Sequence, residues 1–218
     1  MITCHIASIF NRSESLQRTI NSIYHQVDKI YVGLNDYPSI PRWLDDGKIR
    51  AELLKNELGD GAKWLHCWDE GGVCLTLDDD LIVNDDYVQY LLMGLEKYDG
   101  AVSFHGKCYK NRPIEHFRRN FTSNYRCLNT VECDSVVDII GTGVLMFDNH
   151  TILGDSSLYE YKNMADVLFS RLCIQKGIPM TVLAHRIGWI RYQPQKTTIW
   201  NTSQDDTIPT MLVNNFLK

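Results

Sequence analysis

The chain has 218 residues, of which 44% are hydrophobic, 11% aromatic and 22% charged. That suffices for one globular domain burying about 70% of the surface its unfolded form exposes, and it excludes intrinsic disorder, collagen-like repeats and a disulfide-stapled miniprotein. The formal net charge of −5 spreads no basic field over the chain, so nucleic acid is not an expected partner.

Met1 to Phe10 reads as a short buried strand in which Ile2, Cys4, Ile6 and Ile9 are apolar. Ser13 is placed to cap a helix carrying Leu16, Ile20, Ile23 and Val27 on one face. Lys29 to Leu34 forms a second strand, closed by the turn formers Asn35-Asp36-Tyr37-Pro38. Strand, helix and strand within ~35 residues is the pattern of a parallel βαβ unit. Pro41 to Trp68 is ambiguous: a helix near Trp43, a strand or helix over Ile49 to Leu58, and a turn at Gly59-Asp60-Gly61. Gly71 to Leu77 ends in a buried strand, VCLTL, and Asp85 to Tyr98 predicts a helix with Val88, Leu91, Leu92 and Leu95 inward. Ala101 to His105 is another strand, and Pro113 to Asp134 is a polar, irregular excursion suited to facing a substrate. Strands over Val136 to Ile140 and Val144 to Phe147 flank the turn Gly141-Thr142-Gly143. A helix over Asn163 to Lys176 and a strand over Pro179 to Leu183 follow; the tail from Gln193 has no strong pattern.

Seven cysteines are scattered with no C-x-x-C pair, so a structural zinc site is not expected and free thiols in a reducing compartment are. The start of the chain lacks the basic and apolar regions of a leader, and no run approaches ~20 apolar residues. A cytoplasmic protein with no membrane span is the expectation, so the N-x-S/T triplets at Asn11, Asn120, Asn149 and Asn201 read as chance.

The elements alternate, which predicts an α/β fold with a central, mostly parallel, mixed sheet flanked by helices. Such sheets bind ligands at the carboxyl ends of their strands. Three polar groups fall just after predicted strands: Asn11-Arg12, Asn35-Asp36 and Asp78-Asp79-Asp80. The last is the sharpest signal. Three consecutive carboxylates repel one another, and a hard divalent cation such as Mn²⁺ or Mg²⁺ would remove that cost. Strand alternation would turn Asp78 and Asp80 to one side and Asp79 to the other. The competing reading is a solvated acidic turn before a helix. An EF-hand is excluded because no glycine follows at the turn position, and an aspartyl-nucleophile phosphatase because the acids do not follow the first strand.

With these residues in view, the chain resembles a nucleotide-sugar glycosyltransferase of the GT-A fold, close to the family 2 type. S-I-F-N-R-x-x-x-L with its helix is similar to the family's first βα unit, L-D-D-D-L to its D-x-D metal motif, and I-I-G-T-G-V and M-A-D-V-L-F-S-R to the acceptor-side turn and acidic helix. A fainter likeness runs to capsid-glycosylating enzymes of large algal viruses, and no residue carries it. The resemblance covers residues 2 to 190. It implies a single domain, with a donor-nucleotide half over about 1–100 and an acceptor half over 101–192, before a tail at 193–218.

The resemblance also implies a UDP-sugar donor, a glycan or glycoprotein acceptor, a place in glycan biosynthesis, and Mn²⁺ or Mg²⁺ held by Asp78 and Asp80, with His185 as a third ligand. Phe10, Arg12, Asn35, Asp36, Lys63, Asp78, Asp79, Gly141, Thr142 and Gly143 are the candidate donor contacts. Asp166 is the candidate general base. The chain departs from the family in ending its second strand with Asn35-Asp36 and in carrying Ala165-Asp166 where an acidic pair is usual. Two other functions stand beside this one: a nucleotidyltransferase making a nucleotide sugar, against which SIFNRSES offers no glycine, and a non-catalytic carbohydrate- or metal-binding module.

Overall fold

The computed structural model describes residues 1–196, 198 and 205–217; Asn201 lies outside them. The chain opens with β1 (Ile2–Ile9), a 3₁₀ turn over Phe10–Arg12, α1 (Ser13–Ile23), β2 (Lys29–Asn35), β3 (Ile49–Leu54), a second 3₁₀ turn over Gly59–Trp64, and β4 (Val73–Leu77). It continues through β5 (Leu81–Val83), α2 (Tyr87–Tyr98), β6 (Ala101–Ser103), β7 (Gly106–Cys108), β8 (Ser123–Tyr125), β9 (Ser135–Val136), β10 (Ile139–Ile140) and β11 (Val144–Asp148). α3 (Ala165–Gln175), β12 (Met180–Val182), β13 (Ile190–Tyr192) and α4 (Thr207–Phe216) complete it.

Eight strands form one sheet in the order β3-β2-β1-β4-β11-β6-β12-β9. β3, β2, β1 and β4 run parallel. β11 is antiparallel to both of its neighbours, and β12 is parallel to β6. The fold is therefore the α/β class expected, with a mixed, mostly parallel sheet between helices. Cys4, Ile6, Leu16, Ile20, Ile23 and Leu91 pack on one side of the sheet, and Trp64, Phe147, Phe169 and Leu172 on the other. On that second side the rings of Trp64 and Phe169 stack 5.1 Å apart at 9°.

The hydrophobic periods place most elements, and capping chemistry moves their ends. Ser13 opens α1 without capping it. Arg12 holds the cap position with no side-chain bond, and Ser15 Oγ instead donates to Arg12 O at 3.1 Å and to Asp79 O at 2.8 Å. In α2, Val88 and Leu91 are buried while Leu92 and Leu95 are half-buried. α3 begins at Ala165 rather than Asn163, because Asn163 sits in the left-handed region at φ 59°. The expected strand over residues 136–140 divides in two: β9 pairs with β12 and β10 with β7. The tail contains α4, whose Leu212 and Val213 are buried in the core beside α3. All seven cysteines are free. Among the described residues no helix is long and apolar enough to cross a membrane.

Phe169→Ala removes one ring of the buried aromatic stack and should lower the unfolding free energy by about 3–5 kcal/mol, read from the midpoint of a urea transition with an unchanged slope.

Candidate functional site

β2, β1 and β4 are parallel neighbours, so the chain leaves all three on the same rim. There it borders a cleft of about 820 Å³, large enough for a nucleotide-sized ligand. Arg12, Asn35, Lys63, Asp78, Asp79, Thr142 and Asp166 line it, as do Asp60, His105, Lys107, Arg118, Arg126 and Lys162.

Strand geometry ends at Leu77, and the three acids form a turn closed by a bond from Leu81 N to Asp78 O at 3.4 Å. The expected alternation therefore does not apply. Arg12 Nη1 reaches Asp79 Oδ1 at 2.7 Å and Asp80 Oδ2 at 3.3 Å. Asp78 turns instead to Lys63, whose Nζ donates to Asp78 Oδ1 at 2.8 Å and to Thr142 O at 3.4 Å. Lys63 is only 4% exposed. Burial works against its charge, but Asp78 and Asp60 beside it prevail and hold its pKa above the ordinary lysine range. Asp78 shows the converse: burial pushes its carboxyl up, and Lys63 and Arg12 more than reverse that, leaving it low. Asp80, 8% exposed, does not line the cleft and is pushed up to about 7, first by burial and then by the charges of Asp78 and Asp79.

Two cations thus face three carboxylates, and the unmatched negative charge adds to burial in pushing Asp80 up. That surplus and the all-oxygen donor set fit a hard dication at Asp78 and Asp80. The donors are not gathered on one point, however. The three carboxylates are not among the described groups whose ligand atoms all lie within 4.8 Å of one another.

Asp166 stands in the first turn of α3, and its Oδ1 accepts from Thr142 N and Thr142 Oγ1, each at 2.7 Å. Asn35 reaches the wall, but its Nδ2 donates to Gly59 O at 3.0 Å, while its Oδ1 is buried without a hydrogen-bond partner among the described residues. Asp36 does not line the cleft. It takes a left-handed turn at φ 56° and accepts from Asn56 N at 3.2 Å, a turn-forming role. Phe10 is 56% exposed, sits edge-on to Tyr37 and also lies off the wall. Gly143 is needed for its bareness, because a Cβ there would collide with the Asp78 carboxylate. At Gly141 a Cβ would come within 2.6 Å of His105 Cβ. Both glycines therefore make room for protein side chains rather than for a ligand.

His185 is not brought to the acids. Its Nδ1 lies 2.8 Å from Leu183 O and its Nε2 3.2 Å from Arg126 O, so both nitrogens are engaged by backbone carbonyls rather than left to ligate a cation held by Asp78 and Asp80.

The sequence reading missed Asp60, His105 and Lys107. Lys107 is buried against the Phe117 ring at 4.1 Å. Burial lowers its ammonium to about 8, with Asp166 pulling the other way. His105 is likewise lowered by burial and raised by Asp166. His105 falls inside the strand expected over Ala101 to His105, while Lys107, in β7, stands two residues past its end, so the rule that singled out polar groups past β1, β2 and β4 reaches only Lys107. Asp60 is pushed up to about 7 by burial, opposed mainly by Lys63.

No protein-family model matches the chain, and no curated protein matches it. Solved structures do. Residues 1–349 of S. aureus TarS superpose with a TM-score of 0.53 at 12% identity, over 85% of this chain and 58% of that one. A protein assigned as a glucose-1-phosphate thymidylyltransferase from Bacillus anthracis, in complex with a sucrose, gives 0.57 at 11% identity over 99% and 96%. A 4-diphosphocytidyl-2C-methyl-D-erythritolsynthase from Anaerococcus prevotii gives 0.50 at 16% over 100% and 98%. The chain thus spans little more than half of the TarS fragment. At these identities the likeness establishes the fold, which is GT-A-like.

Asp60 carries a folded pKa near 7 against ~3.9 unfolded, so the folded state binds the extra proton and loses stability as pH rises from about 4 to 7. Asp60→Asn removes that loss. Its stability relative to the parent should improve by on the order of 1–3 kcal/mol between pH 5 and pH 8, measured by urea unfolding at each pH.

Proposed function

We propose that this chain is a metal-dependent glycosyltransferase that moves a sugar from a UDP-sugar to a glycan or protein-linked acceptor. The observation that carries this reading is the acid turn after β4, in one cleft with buried Lys63 and with Asp166 on α3. A diphosphate would be met by a dication at the acid turn and by the cations of the same cleft, Lys107, Arg118, Arg126 and Lys162. Asp78 and Asp80 would hold Mn²⁺ or Mg²⁺, which when bound neutralises a diphosphate and stabilises it as a leaving group. Lys63 keeps Asp78 ionised and in place. Asp166 has both of its Thr142 bonds on Oδ1, and its Oδ2 would take the proton of the acceptor hydroxyl. The likeness to TarS, a GT-A glycosyltransferase, supports this reading.

A second reading, a nucleotidyltransferase making a nucleotide sugar, is favoured by the coverage of the thymidylyltransferase and diphosphocytidyl-methylerythritol synthase structures, which match this chain almost end to end. Against it, the segment after β1, FNRSESLQRTINSI, contains no glycine to wrap a triphosphate.

UDP and Mn²⁺ together should raise the melting temperature by more than the sum of their separate effects, and Asp80→Asn should abolish the synergy. Loss of synergy in the folded parent rejects the proposal. Formation of a nucleotide sugar from a sugar 1-phosphate and a nucleoside triphosphate, seen by mass spectrometry, would establish the second reading instead. Asp166→Asn should leave UDP binding intact and lower UDP-sugar turnover by about 100-fold or more, measured as released UDP.

A further inference from the structure

Away from the cleft, one cluster of ligand atoms stands out. A ring nitrogen of His5 and the thiols of Cys67 and Cys74 lie within 4.8 Å of one another, all three residues buried. Thr3 on β1 is paired with Cys74 on β4, so Thr3, His5 and Cys74 share the sheet face covered by the Gly59–Trp64 turn. Cys67 arrives just past that turn, its thiol donating to Lys63 O at 3.3 Å. The His5 ring is clamped: it stacks on Tyr31 at 4.9 Å and 2°, and its Nε2 lies 2.8 Å from Thr3 Oγ1. Its Nδ1 is buried without a hydrogen-bond partner among the described residues.

We propose that His5, Cys67 and Cys74 form a site for one thiophilic dication of the Zn²⁺ class, which pins the Gly59–Trp64 turn to the sheet. Two thiols and an imidazole are the soft and borderline donors such an ion takes, and they are unlike the oxygen set at Asp78 and Asp80. Two thiolates, a neutral imidazole and a dication sum to zero charge, the condition a fully buried site imposes. Binding therefore releases two thiol protons to solvent and changes no oxidation state. The Cys74 thiol donates to Cys67 O at 2.8 Å, a bond that metal binding would replace, and Thr3 Oγ1 lies 3.7 Å from Cys74 Sγ, where its hydroxyl could turn to a thiolate. A cavity of about 10 Å³ beside His5, bounded by Tyr31, Glu52, Ala62 and His66, holds one water-sized sphere.

Reduced protein stripped by a chelator and titrated with Co²⁺ should bind one equivalent at this site, with thiolate-to-cobalt charge-transfer absorption and release of two protons. Zn²⁺ should bleach that absorption and raise the melting temperature. The absorption should vanish in Cys67→Ser and Cys74→Ser, yet persist in Asp80→Asn and in Cys4→Ser, which replaces a buried thiol on the other face of β1. Because the first two variants alter the core, the parent protein gives an independent reading: zinc X-ray absorption should show two sulfurs at about 2.3 Å and one nitrogen at about 2.0 Å. The site is overturned by a folded, reduced parent without the charge-transfer absorption, by absorption that survives loss of either cysteine, by a sulfur-free zinc shell, or by a Cys67–Cys74 disulfide that persists in reductant.

Discussion

The rim of this sheet is organised by an unequal balance of charge. β4 delivers three consecutive carboxylates into one turn, and two cations from separate elements meet them: Arg12 from the turn after β1 and Lys63 from the Gly59–Trp64 turn. For Lys63 and Asp78, at 2.8 Å and an effective dielectric near 20, the Coulomb attraction is about 6 kcal/mol before desolvation, and withdrawing Lys63 from water costs several kcal/mol, with a smaller cost for the half-exposed Asp78. The two nearly cancel, so these pairs add little net stability. What they supply is position: Lys63 is buried and its charge depends on Asp78, whose own side chain is half exposed. The neighbourhood is built to hold them. Asn35 fastens Gly59 O, Asn163 Oδ1 accepts from Asp60 N at 3.2 Å, and Gly143 is bare so that Asp78 has space.

The imbalance separates two explanations of the acid run. Had the cations matched the acids, the turn would be self-contained and would need nothing from solution. Instead burial and the charges of Asp78 and Asp79 push Asp80 up to about 7, and burial does the same to Asp60 on the other side of Lys63. A further positive charge arriving at Asp78 and Asp80 would share them with Lys63 and Arg12, which already pair with them. Lys107, Arg118 and Arg126 belong to the same cleft. It therefore presents both signs of charge within one cavity, although the chain as a whole is acidic.

What was readable in the sequence was local. The βαβ opening, VCLTL and the acids after it follow from periodicity and turn chemistry over a few residues, and the structure has them. Contacts joining distant segments were not readable. Nothing in a lone lysine after a D-G-A turn marks Lys63 as buried, since its partner Asp78 lies fifteen residues on and meets it only through the sheet. The alternation expected for Asp78 to Asp80 fails because the strand ends one residue before the first of them. His185 has the right position after β12 for a ligand, but backbone carbonyls occupy its surroundings. α4 went unseen because Pro209 and a short apolar stretch resemble a loop; the proline sits in the first turn, where its missing N–H costs nothing. The absence of C-x-x-C spacing hid the proximity of Cys67 and Cys74, which depends on a turn packing over β1 and β4.

One topological feature explains why the acid turn and Asp166 share a cleft. In a purely parallel sheet the ligand rim receives only the carboxyl ends of strands. β11 runs the opposite way between β4 and β6, so its amino end arrives at that rim, with Val144 opposite Leu77 and Asp78 N bonded to Gly143 O at 3.0 Å. The preceding residues, Gly141 and Thr142, are thereby set beside the last residues of both neighbours. Gly141 N bonds to His105 O at 2.7 Å, and Thr142 O accepts from Lys63. Thr142 then presents its N–H and hydroxyl to Asp166, fixing the first turn of α3 over the cleft. The reversed β11 thus links the two halves of the site: Thr142 touches Lys63 with its carbonyl and Asp166 with its amide and side chain.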